Sequence, residues 1–223
     1  MHDITLPLAP GMVGWPGDPP LTVDALQSVA AGHPFTLHRI SASTHAGTHI
    51  DAPRHLFPQG PSIDELDLAR LIGVVEVVDV LEVNAIDADI LSQRFPRIAP
   101  PRILFRTQNS LQRLLDQPQF AASYVALTES AAHWLVNHRV QCVGIDYLSV
   151  DRFDDESLTV HRILLAHHVA VLEAVRLYDV APGRYQMIAL PWKLRDMDGS
   201  PARVLLFTDR EWAALSPARE LPP

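Results

Sequence analysis

The chain has a single cysteine, Cys142, so it forms no internal disulfide, and its apolar setting, Val140-Gln-Cys-Val-Gly144, marks it as a core residue. No apolar run approaches the roughly eighteen residues that span a bilayer. The first residues, Met1-His-Asp-Ile-Thr-Leu-Pro, lack the basic and apolar regions of a secretory signal. These absences, with cysteine usage that suits a reducing compartment, predict a cytoplasmic protein. No basic run offsets the formal net charge of −8, which argues against nucleic acid or a membrane as partner and favours a small molecule. Also missing are Gly-x-Ser-x-Gly, Gly-x-Gly-x-x-Gly, a Walker loop and His-Glu-x-x-His, so the sequence supports none of the chemistries those motifs serve.

What is present reads as a folded protein. Hydrophobic residues make up 48% and charged residues 20% of 223 positions, an ordinary globular composition. A chain of this length buries about 70–75% of its unfolded surface, and it reads as one domain over 1–223.

The densest chemistry lies in His45-Ala-Gly-Thr-His49-Ile-Asp51-Ala-Pro53-Arg-His55. Its histidines and carboxylate all fall on odd positions, so an extended segment would turn His45, His49, Asp51 and His55 to one side. Gly47 leaves room on that side, and Gly47 with Pro53 argues against a helix. Imidazole and carboxylate suit a borderline divalent ion: zinc, with manganese or iron as alternatives.

Ahead of this run, Pro10-Gly-Met-Val-Gly-Trp15-Pro-Gly-Asp18-Pro-Pro reads as a loop that carries Trp15, either to plug the core edge or to wall an aromatic substrate. Residues 21–40 give a mixed signal, with a strand over Phe35–Ile40. Ser62-Ile-Asp-Glu65 has capping-box spacing. Strands are predicted over 71–80, 102–107, 124–127 and 140–145, and helices over 86–95, capped by Asp87, and 129–138, capped by Thr128. This alternation predicts an α/β architecture with a mixed or parallel sheet. Near the end, Tyr185–Pro191 and Ala202–Phe207 read as paired antiparallel strands, and the tail from Ser216 reads as loose. His2, His33, His38, His133 and His138 have no carboxylate company and are read as surface or cap residues.

A second polar cluster holds His161, His167, His168 and Glu173. His161 and Glu173 are twelve positions apart, about 120° out of phase on one helix, so they meet only if a helix ends between them. The competing reading pairs Glu173 with Arg176.

The sequence resembles the metal-dependent arylformamidase/cyclase family, which includes bacterial kynurenine formamidases and isatin hydrolases. Its signature, His-x-Gly-Thr-His-x-Asp-x-Pro-x-His, is matched in full at 45–55. Trp15-Pro-Gly-Asp18, Val143-Gly-Ile-Asp146 with Ser149-Val-Asp151, and Gly183–Pro191 with Asp198-Gly-Ser-Pro201 resemble further family segments in the family's order. The resemblance implies a swivelling β/β/α fold, a homodimer or larger oligomer, and one or two ions per subunit, zinc or alternatively manganese. It implies that His45, His49 and Asp51 bind a first ion, that Asp51 bridges to a second held by His161 and Glu173, and that His55 is the catalytic acid/base. Two positions depart from kynurenine formamidases and are expected to line the pocket: Tyr147-Leu148 before Ser-Val-Asp, and Leu56 after His55.

The expected activity is hydrolysis of a small aromatic amide, most like N-formylkynurenine to kynurenine and formate, with Trp15 against the aryl ring. An isatin-type cyclic amide hydrolase would use the same residues. A metal-dependent sensor is the rival from another class, and His55 speaks against it, because a binder has no use for a free histidine beside the metal.

Overall fold

The β-branched run that ends at Val80 forms a nine-residue strand, Ile72–Val80, inside the mixed sheet that organises the chain. The computed structural model describes residues 1–215, so the expected loose tail lies outside the described residues. In chain order the strands are β1 (His2–Asp3), β2 (Thr22–Gln27), β3 (Leu37–Ser41), β4 (His49–Asp51), β5 (Ile72–Val80) and β6 (Ala85–Ile86). They continue with β7 (Arg102–Thr107), β8 (Ala126–Leu127), β9 (Cys142–Ile145), β10 (Ala170–Glu173), β11 (Gly183–Pro191) and β12 (Gly199–Phe207). The α-helices are α1 (Ala88–Arg94), α2 (Gln108–Leu111), α3 (Glu129–Asn137), α4 (Thr159–Ala166) and α5 (Asp209–Leu215).

The sheet order is β1-β12-β11-β5-β7-β9-β10-β4, and β4 pairs a second time, with β12. That second pairing closes the strands from β12 round to β4 into a barrel-like ring, with β1 on the outer edge of β12. β5, β7, β9 and β10 run parallel, while β11, β12 and β4 are antiparallel to their neighbours. The α/β class with a mixed sheet is therefore as the sequence predicts, including the antiparallel pair near the end.

Strand alternation then separates two cores. Ile50, Val75, Val77, Leu104, Cys142, Leu172, Met187 and Val204 fill the ring, and Cys142 is among the buried residues as expected, its thiol pushed up to about 12 by burial. Residues of opposite parity, among them Val78, Val80, Ile103, Phe105, Val143 and Val171, face outward and pack beneath α1, α3 and α4. Asp87 caps α1 by accepting the Ile90 N–H at 2.9 Å, and Thr128 caps α3 by accepting that of Ala131 at 3.3 Å.

The strand expected at 124–127 shortens to two residues paired with β6, outside the main sheet. Asn109 is the cause: its side chain accepts the Val125 N–H at 2.8 Å and donates to the Val125 carbonyl at 2.9 Å, standing in for a neighbouring strand. The mixed signal over 21–40 resolves as an antiparallel ribbon, β2 with β3, in which Val23 pairs with Ile40. Val23, Leu26, Val29, Phe35, Leu37 and Ile40 are all exposed on it, and none joins a hydrophobic cluster of the body. Among the described residues no helix is long and apolar enough to cross a membrane.

Candidate metal centre

β4 is the seam of the ring, and its register builds the site. Ile50 points inward, so His49 and Asp51 point outward, toward α4. In the pairing with β10, Glu173 stands opposite His49, and on the other side Gly199 of β12 stands opposite Asp51. The helix that carries His161 ends at Ala166, before β10 begins, which is the break that a meeting of His161 and Glu173 requires. His161 Nε2 lies 3.1 Å from Glu173 Oε1 and 3.1 Å from Asp51 Oδ2, and His49 Nε2 lies 3.2 Å from Glu173 Oε2. Arg176 instead approaches Asp116.

The four odd-numbered residues of the 45–55 run do converge, but one extended strand is not the reason. Only His49–Asp51 is strand; Gly47 has φ of +64°, a left-handed turn, and Pro53–His55 is a 3-10 turn. Gly47 is needed there twice over, for its backbone and because a Cβ would meet Leu8 at 2.5 Å.

Each of the three histidines around Asp51 has one ring nitrogen committed elsewhere. His49 Nδ1 is 2.8 Å from the Gly47 carbonyl, His161 Nδ1 is 2.5 Å from Asp151 Oδ2, and His45 Nε2 is 2.8 Å from Asp198 Oδ2. With an acceptor on the outer nitrogen, the inner nitrogen presents its lone pair to the centre. Asp51 Oδ1 lies 2.8 Å from His45 Nδ1 and 3.4 Å from His49 Nε2, yet it is buried and has no hydrogen-bond partner. Lone pairs that crowd together without sharing a proton are what a common cation would satisfy. Among the described residues three donor groups bring their ligand atoms within 4.8 Å of one another: His45-His49-Asp51 and Asp51-His161-Glu173, which share Asp51, and His45-His55-Asp198 on the outer side of His45. These residues fit one divalent ion, or two bridged by Asp51.

Burial makes the charge balance acute. Asp51 is 1% and Glu173 3% exposed, and their ion-pair partners are histidines. Burial works to lower the histidines, but it is outweighed: contacts with Asp198 and Asp51 push His45 up to about 9, and those with Asp51 and Glu173 push His49 up to about 10. Burial likewise opposes the charge on Asp51, yet its contacts with His161, His45 and His49 hold it well below the usual carboxylate range.

His55 differs. It sits beside these residues, 4.3 Å from His45 and 6.0 Å from His161 between ring centroids, and belongs to neither donor group around Asp51, only to the outer one with His45 and Asp198. Burial first, with the nearby His45 and His161 and against the pull of Asp51, lowers its pKa. All these groups open into a cavity of about 410 Å³ that Trp15 and Leu148 also line. Phe120 and Phe153 hold Trp15 edge-on, at 5.2 and 5.6 Å between centroids. Of the departing positions, only Leu148 lines this cavity: Tyr147 is fully buried, with its hydroxyl accepting the Ala121 N–H, and Leu56 packs into the core beneath the helices.

Sequence reasoning did not assign roles to Asp151 or Asp198. Asp151 accepts the Val160 and His161 N–H groups at 2.7 and 3.0 Å, so it starts α4 and aims His161 at once. Of the histidines set aside on sequence grounds, His138 stacks on Trp134 at 3.8 Å, while His133 is exposed and does have a carboxylate beside it, Glu129 one helical turn back at 3.7 Å.

Comparison with known proteins agrees with this geometry. The sequence profile of the family described as "Putative cyclase" matches residues 2–152. A solved structure described as a potential metal-dependent hydrolase with cyclase activity is 31% identical, with 92% of this chain and 96% of that one covered and a TM-score of 0.80. One described as a predicted metal-dependent hydrolase, from Bacillus stearothermophilus, is 32% identical over 92% and 96%, with a TM-score of 0.78. Isatin hydrolase A from Ralstonia solanacearum shares the fold at 23% identity, covering 93% and 91%, with a TM-score of 0.79. With its family profile matched over most of its length and its fold shared over 92% of it, this chain belongs to the cyclase family.

Proposed function

We propose that this protein is a metal-dependent hydrolase of aryl formamides and related amides, with N-formylkynurenine, cleaved to kynurenine and formate, as the leading substrate. The observation that carries the reading is Asp51 Oδ1, a buried carboxylate oxygen with no hydrogen-bond partner, faced by histidine nitrogens whose rings are already oriented from behind. The two relatives described as metal-dependent hydrolases support the hydrolase part. In this reading His45, His49 and Asp51 hold one ion, zinc or manganese, and His161 and Glu173 with Asp51 hold a second.

A divalent ion bound there supplies a polarised amide carbonyl and water whose pKa falls from about 15.7 towards about 7. The chain's own residues do the rest. His55, kept neutral by burial, takes a proton from water as the hydroxyl oxygen bonds to the formyl carbon. It returns that proton to the aryl nitrogen as the C–N bond breaks, so one water is consumed and His55 ends as it began. Trp15 walls the cavity on the substrate side and favours an aromatic ring. The homodimer that the family resemblance implies has a surface to use in the β2–β3 ribbon. A two-stranded ribbon is marginal alone, and here it exposes apolar side chains that an arm exchanged between two copies would cover.

The test is hydrolysis of N-formylkynurenine by protein stripped of metal and then reloaded with zinc or manganese. Metal-dependent turnover is the expected result. Cleavage of isatin in its place would move the reading to cyclic amides, and stoichiometric metal without turnover of either would move it to a sensor.

A further inference from the structure

We propose that Asp198 is a positioning residue, which orients both His45 and His55 through one carboxylate oxygen. Its Oδ2 lies 2.8 Å from His45 Nε2 and 3.4 Å from His55 Nδ1, while its Oδ1 accepts the Thr44 hydroxyl at 3.0 Å. The backbone holds the residue in place as well, since its carbonyl accepts the Ala52 N–H at 2.9 Å. The next residue, Gly199, leaves the space into which His45 folds: a Cβ there would stand 2.8 Å from His45 Cε1. Asp198 thus comes from the far end of the chain to a place where one anion faces two imidazoles.

Two consequences follow from donor chemistry. A carboxylate only accepts, so His45 carries its proton on Nε2 and presents Nδ1 to Asp51; His55 likewise turns its Nδ1–H to Asp198 and leaves Nε2 free for proton transfer. A single acceptor therefore prepares one ring to ligate and the other to shuttle a proton. Removing a carboxylate that orients a ligand histidine typically weakens metal affinity by about 10–100-fold. Because the Asp198 side chain is 39% exposed, its loss leaves no buried charge stranded and the fold is expected to survive.

The inference rests on the metal-hydrolase reading for its purpose, so its test is read without substrate. Zinc affinity by chelator competition, ions per subunit by elemental analysis, and the ring N–H signals of ¹⁵N-histidine in the zinc-loaded protein would be compared among wild type, Asp198→Ala and Asp198→Asn. Asp198→Ala is expected to bind zinc about 10–100-fold more weakly with unchanged stoichiometry, and to lose the exchange-protected His45 Nε2–H and His55 Nδ1–H signals. Asp198→Asn, whose carboxamide oxygen can still accept from one ring, is expected to fall between, and it carries the test if the alanine variant does not fold. Wild-type affinity and intact ring signals in the variants would overturn the proposal. So would the loss of an ion per subunit, which would make Asp198 a ligand with His45 and His55. A wild-type protein that binds metal but fails to cleave formamides would overturn the substrate reading and leave this one standing.

Discussion

Glu173 faces His49 directly across the β4–β10 pairing, and its two oxygens reach different histidines, Oε2 to His49 at 3.2 Å and Oε1 to His161 at 3.1 Å. Oε1 also accepts the Val150 N–H at 2.7 Å, which fixes the carboxylate before any ion arrives. Glu173→Gln is expected to reduce bound metal from two ions per subunit to one, and Asp51→Ala to abolish binding and turnover together. Elemental analysis of the purified variants checks this; Glu173→Gln with undiminished metal would remove Glu173 from the donor set.

His55 is expected to be dispensable for metal and needed for turnover. His55→Ala should keep its ions while kcat falls about 10²–10⁴-fold. Since burial lowers its pKa below 6.5, His55 is a neutral base at neutral pH, and activity should rise with pH through a value below 6.5 and then hold. A pH–rate profile with metal held saturating reads this directly.

Without metal, protons on the histidines balance the buried carboxylates, and that gives stability a definite pH dependence. His45 and His49 are raised from 6.5 to about 9 and about 10, so their contribution is complete below about 6.5 and drains away as pH climbs through 9 and 10. Asp51 and Glu173 are lowered, so theirs is present above the unfolded carboxylate range and lost on strong acidification. The Tm of metal-free protein should therefore fall between pH 6.5 and 10, while that of loaded protein changes less because the ion has replaced the protons. A metal-free Tm that rises over this interval would refute the balance.

Gly199→Ala puts a methyl group 2.8 Å from His45 Cε1, well inside van der Waals contact with the ring. The ring must turn away from Asp51, so metal affinity should drop by an order of magnitude or more on the scale of a displaced ligand. The barrel itself should persist, since Gly199 has ordinary strand backbone and the tightest contact of the methyl is with a side chain, the Ile50 carbonyl standing farther off at 3.1 Å; far-UV circular dichroism with a zinc titration separates the two effects.

The β2–β3 ribbon should reveal its role through sedimentation. Val23 and Ile40 face each other on its apolar side, so Val23→Asp with Ile40→Asp places two charges where a second copy would pack. The expected outcome is a monomer that keeps its ions; an unchanged sedimentation coefficient would release the ribbon from that role.

Legibility varied by the kind of information a residue carries. His45, His49, Asp51 and His55 could be read as a group because residue type and short spacing suffice to suggest ligands, although the parity argument misjudged the backbone between them. His161 and Glu173 were readable on the condition that a helix ended between them, and it does. Asp198 and Asp151 carried no such mark: an acid that works by accepting from a histidine has no sequence pattern, only a place in the fold. The ribbon was ambiguous because its apolar residues follow a buried strand's pattern while standing in solvent. Tyr124–Leu127 misled for the opposite reason, since a side chain took the partner's part in its hydrogen bonding.

The double pairing of β4 also sets a timetable. The strand that bears His49 and Asp51 is held only by segments from much later in the chain, residues 171–173 on one side and 199–201 on the other. During synthesis the ligand-rich run emerges early and must wait, unpaired, until the last strand of the ring leaves the ribosome. A nascent chain halted before Asp198 would carry all six residues proposed to bind or shuttle on unclosed scaffolding, with His45 lacking the carboxylate behind it and β10 the one flanking strand of β4 yet made. Ring closure and completion of the centre are thus one event, and zinc captured cotranslationally would be expected only as that final strand docks.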